Sequence, residues 1–120
     1  MICVNDINLK IMKIKKMQDY CYRNNSENVT LSMRLSKGSQ KLKGMRVNVI
    51  SNNFNETIDY EREISSFGFQ INLEGLSVNF INKKNLIEYV ELIPYIDNRG
   101  IDYYCTESNL VIKNISYRHN

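Results

Sequence analysis

Acyl transfer by a triad needs a base that titrates near neutrality and is held to a fraction of an ångström. The chain has one histidine, His119, next to the last residue, where a side chain is poorly held. A thiol nucleophile needs a nearby cation or a helix N-terminus to lower its pKa. Cys3 lies near the start, Cys21 falls on an apolar stripe and Cys105 on an alternating segment, so Cys21 and Cys105 read as buried packing residues. Three widely spaced cysteines without a C-x-x-C pair fit neither a disulfide framework nor a zinc site.

Asp59, Glu61 and Glu63 alternate along a predicted strand, which would put three carboxylates on one face. Same-face residues of a strand stand roughly 7 Å apart, too far for all three to hold one ion, so they read as a solvated acidic edge that discourages unwanted pairing. Gly38 to Gly44 brackets a loop but is not G-x-x-x-x-G-K-[ST], and no dinucleotide-binding glycine motif is present. The sequence therefore points away from an enzyme and calls for no metal and no cofactor.

Cations are the other concentration of chemistry. Arg34, Lys37, Lys41, Lys43 and Arg46 follow one another with no acid between them, and Lys10, Lys13 and Lys16 precede them. Such a basic patch can lie along a phosphate backbone or against an acidic protein. Residues 1–50 carry a net charge of +7 and residues 51–120 a net charge of −4, so the surface is either bipolar or has one basic face. The basic segment holds no aromatic residue on which a base could stack.

The elements that must position these residues follow from apolar spacing. Ile7, Ile11, Ile14 and Cys21 recur at helical intervals, with Asp6 as N-cap and Asn24-Asn25-Ser26 as stop, which predicts a helix from about 7 to 23. The rival is a short strand over Ile7, Leu9 and Ile11 followed by a shorter helix. Val29, Leu31, Met33 and Leu35 then alternate with polar residues, as do Met45, Val47 and Val49, predicting two strands joined as a hairpin. Ile58 to Ile64 reads as a strand, and Phe69 to Leu73 as a hairpin with Leu76 to Ile81. Residues 82–93 fit helix or strand, with Pro94 as the stop. A last hairpin joins Ile101–Cys105 to Leu110–Asn114, after a turn at Asp97-Asn98-Arg99-Gly100. The expected fold is α+β: an N-terminal helix followed by an antiparallel, strand-dominated sheet or small β-barrel of about six or seven strands, in one domain over 1–120.

No stretch is apolar enough for a signal peptide or a membrane span, which with the cysteine usage places the protein in the cytoplasm. Seventeen Asn, fifteen Ile and no Ala indicate an AT-rich gene, from a low-GC bacterium, a phage or another mobile element. The expected function is a non-catalytic binding protein: a small protein–protein interaction module or inhibitor, acting on a nucleic-acid-handling enzyme. The alternative is a nucleic-acid-binding regulator that uses the basic hairpin 34–46 and the N-terminal helix. Exposed strand edges and eight tyrosines also admit a homodimer.

Overall fold

The structure, a computed structural model, describes residues 7–21, 26–51, 55–76 and 87–113, with side chains described for 7–14, 31–50, 55–73 and 88–113. Three strands form one antiparallel sheet: β1 (Lys10–Cys21), β2 (Ser26–Ser36) and, reached much later in the chain, β5 (Gly68–Leu76), in the order β1-β2-β5. The second sheet holds β3 (Gly44–Ser51), β4 (Asn55–Tyr60), β6 (Ile87–Asn98), β7 (Ile101–Tyr104) and β8 (Leu110–Lys113). Its order is β4-β3-β6, with β7 and β8 both paired to the far side of β6.

Alternation does what a half-buried strand requires. Leu31, Met33 and Leu35 of β2 are fully buried, as are Met45, Val47 and Val49 of β3, and Ile71, Val90 and Leu92 join them in one core between the two sheets. Two crossings carry the chain from one sheet to the other and lie side by side. Leu42 and Ile64 exchange backbone hydrogen bonds of 2.9 Å in both directions, and the Lys37 amide donates to the Phe67 carbonyl at 2.8 Å.

The N-terminal segment is not a helix, which corrects the α+β expectation: the described residues contain strands and one 3-10 turn at Thr106–Ser108. The physical reason is a bulge. Ile11 faces Leu35 and Ile14 faces Met33, with Met12 inserted where the register shifts. An extra residue turns an interval of two into one of three, so a bulged strand copies helical spacing.

A closed barrel is corrected as well, because the strands fall into two sheets, and there are eight of them among the described residues. Nor do β2 and β3 form a hairpin; β2 pairs with β1 and β5, and β3 with β4 and β6. In the same way β7 and β8 pair with β6 rather than with each other. The predicted partner strand at 76–81 falls, beyond Leu76, outside the described residues.

Pro94 lies inside β6 instead of ending it. Its carbonyl accepts from the Cys105 amide at 2.8 Å, so its nitrogen faces the β7/β8 side as well. Pairing on that side is interrupted there, between Leu92 opposite Leu110 and Tyr95 opposite Tyr104, and the missing N–H costs no ladder bond. The turn after β6 has Arg99 at φ 54° and Gly100 at φ 87°, the paired positive φ of a tight hairpin, and the Asp97 carboxylate accepts from the Gly100 amide at 3.0 Å.

Candidate functional site

The eight cations picked out in the sequence separate into two groups. Lys10, Lys13 and Arg34 share the outer face of the three-stranded sheet: Lys13 sits directly opposite Arg34, and Lys10 opposite Ser36. All three are exposed, and none forms an ion pair or hydrogen bond with another described residue. The same face carries Ser32, Gln70 and Asn72, linked by hydrogen bonds of 2.8 to 3.0 Å, and no carboxylate among its described side chains; Asp19, in register with Asn28, falls on this face farther along the β1–β2 pair. Lys16 is in register with Leu31, and its side chain is outside the described set.

The other cations have partners within the protein. Lys41 pairs with Glu63 at 3.2 Å, and Lys43 with Asp102. Arg46 meets Asp59 at 3.0 Å, lies 4.1 Å from the ring centre of Tyr104 and donates to the Tyr104 hydroxyl at 2.9 Å. The hydrogen bond from Lys43 to Asp102 raises the Lys43 pKa above the ordinary lysine value, and that from Arg46 to Asp59 raises the Arg46 pKa. Lys37 is 5% exposed; its ammonium donates to the carbonyls of Gly38 and Gln40 at 3.0 and 2.9 Å, and burial lowers its pKa.

The acidic residues do not converge. β4 ends at Tyr60, so only Asp59 is on the strand, where it faces Arg46 across the outer side of the larger sheet. Glu63 is held by Lys41, and Glu61 lines a slot of about 600 Å³ between β4 and β5 together with Glu56, Arg62 and Gln70. No group of three metal-ligating side chains occurs among the described residues. The outer face of this sheet is instead cross-linked by polar rungs: Thr57 donates to Asn48 at 2.8 Å, and Asn48 and Asn109 donate to Glu91 at 3.1 and 2.8 Å. Cys105 is buried, as its spacing predicts. It is also disulfide-bonded, which the cysteine count did not anticipate.

One part of the small sheet's outer face was not visible in the sequence. Beside Arg34 is a socket of about 390 Å³ lined by Met12, Gly68, Phe69 and Gln70. Met12 reaches it through the β1 bulge and is 66% exposed. Gly68 lies in β5 opposite Ser36 and contributes open floor: a Cβ there would meet nothing within 4 Å. The available signal was Met12 itself, an apolar residue out of phase beside Ile11.

No helix among the described residues is long and apolar enough to cross a membrane. Compared with known protein families, with curated proteins and with solved structures, the chain matches none. Its class is that of a two-sheet antiparallel β protein.

Proposed function

We propose that the chain is a non-catalytic binding protein that meets a protein partner through the outer face of its three-stranded sheet. The observation that carries this is the division of the cations. Lys41, Lys43 and Arg46 are neutralised by carboxylates of the same chain, whereas Lys10, Lys13 and Arg34 stand together among described side chains that include no acid. A protein with an acidic patch complements such a face in sign. The composition of the gene favours an inhibitor carried by a phage or mobile element, with a nucleic-acid-handling enzyme as target. The Cys105 disulfide argues for an oxidising compartment, where such bonds persist, and against the cytoplasm.

The test compares capture of proteins from a lysate of the source cells by the wild-type chain and by a folded Lys13→Glu/Arg34→Glu double variant. A partner held by the first and lost by the second supports the proposal. Equal capture by both removes the sheet face from the function.

The same three cations favour a second reading, binding to the phosphates of a nucleic acid. Affinity for duplex DNA or RNA that falls steeply with salt, and falls again in the double variant, would establish it. The described residues of the face offer amides and Met12 but no aromatic ring, which is why the protein partner is preferred.

A further inference from the structure

The sheet face has an apolar depression set among cations without a partner among the described residues, and that combination defines a ligand. We infer that the socket beside Arg34 receives one large apolar side chain, Phe or Leu, from an acidic segment of the partner, whose flanking carboxylates then reach Arg34, Lys13 and Lys10. This rests on the reading that the outer face is the docking surface.

The argument has three parts. The first is space: the socket holds about 390 Å³, enough for one bulky side chain, and its floor is open because Gly68 has no side chain. The second is the character of the wall. Met12 supplies apolar surface, and it is an unbranched thioether that adapts to the shape of what it meets, while Phe69, in register with the buried Leu35, packs against the core behind the socket. A bulge in β1 places Met12 there and leaves it largely exposed, an arrangement common where a strand re-aims a side chain toward a partner. The third is charge. Arg34 lines the socket itself, Lys13 is its direct cross-strand neighbour, and no carboxylate among the described side chains pairs with either. Interface anchors are commonly apolar side chains seated in a pocket with charged groups at the rim. Gln70 and Asn72, already ordered with Ser32, can in addition bond the backbone of an extended segment.

The experiment is an NMR titration of the ¹⁵N-labelled chain with two short synthetic peptides, one with Phe flanked on both sides by Asp and Glu, the other with Ser in place of Phe. The Phe peptide is expected to shift the amides of Met12, Gly68 and Gln70 saturably, and to bind about tenfold more tightly than the Ser peptide, the gain from burying one apolar side chain. Gly68→Leu fills the socket at a position with no steric obstacle, so it should fold normally and abolish the difference between the peptides. Arg34→Glu should weaken both.

If Arg34→Glu weakens binding while the two wild-type affinities are equal, the socket proposal fails and the docking face stands. If neither peptide shifts these residues, both fail. A short single-stranded oligonucleotide that displaces the Phe peptide and binds more tightly would overturn the protein-partner assignment.

Discussion

Gly44 and Tyr95 face each other across the β3–β6 pair at a distance that leaves no room for a side chain: a Cβ on Gly44 would fall 2.2 Å from the Tyr95 hydroxyl oxygen. It would also fall 2.6 Å from the Tyr60 carbonyl oxygen, which is backbone and cannot swing away. Gly44→Ala is therefore expected to cost about 1–3 kcal/mol, through displacement of the tyrosine ring and of β4. Chemical denaturation measures this, and an unchanged midpoint would contradict the packing described.

Gly68→Ala provides the opposite case. Its added methyl meets nothing, its backbone is not in the positive-φ region, and the unfolded chain loses freedom. Stability is expected to stay level or rise by about 0.5 kcal/mol. A loss comparable to that of Gly44→Ala would show that the floor of the socket is not open.

The Lys43–Asp102 pair has a defined pH signature. Lys43 binds its proton more tightly in the folded state than in the unfolded one, because Asp102 accepts a hydrogen bond from it. The pair thus stabilises the fold at all pH values where Asp102 is ionised and Lys43 protonated. Its contribution fades as pH rises above the ordinary lysine value of 10.5 and through the raised one. A double-mutant cycle with Lys43→Met and Asp102→Asn should show coupling at neutral pH and none well above that value. Equal coupling at both would exclude the ion pair as its source.

Lys37 is a contest between burial, which disfavours its charge, and two hydrogen bonds to carbonyls. Replacement by Met ends the first cost but leaves the Gly38 and Gln40 carbonyls without their donor. The second effect is the larger, so Lys37→Met should lose about 1–2 kcal/mol. Thermal unfolding at neutral pH decides it, and a gain in stability would mean that burial dominates.

Thiol counting tests the cysteine chemistry. With Cys105 in a disulfide, unfolding without reductant should expose one free thiol, and unfolding with reductant three. Reduction should lower stability by about 2–4 kcal/mol. Three thiols in protein isolated and unfolded without reductant would show that the bond does not form in the cell.

Where the sequence was a sound guide, a single face of a strand was being buried. Leu31, Met33 and Leu35, and again Met45, Val47 and Val49, had to alternate because every second side chain of β2 and β3 enters the core. Pairing was not legible in the same way. Alternation says which side is buried but not which strand lies alongside, so it predicts a hairpin of β2 and β3, adjacent in sequence, where the chain in fact crosses between sheets.

At the N-terminus the inserted Met12 disguised a strand as a helix. The candidate surface was half legible. Lys10, Lys13 and Arg34 could be named from charge alone, but their separation from Lys41, Lys43 and Arg46 depends on Glu63, Asp102 and Asp59, which are distant or off-phase in the chain. Gly68 carried no sequence sign of lying in a strand.

The pairing order of the strands also sets a timetable for synthesis. Neighbours such as β1 with β2, or β3 with β4, can zip together as soon as they emerge. Asn48 and Glu91, by contrast, are bonded across 43 residues of chain, and Arg46 and Tyr104 across 58. Until β5 and β6 arrive, each early hairpin is only part of its sheet and the core between the sheets is incompletely covered, and folding by such non-local contacts is slow. The nascent chain thus passes through an interval with sticky, half-built sheets, during which the lysines along β1 keep it dispersed and a chaperone has its best opportunity to bind.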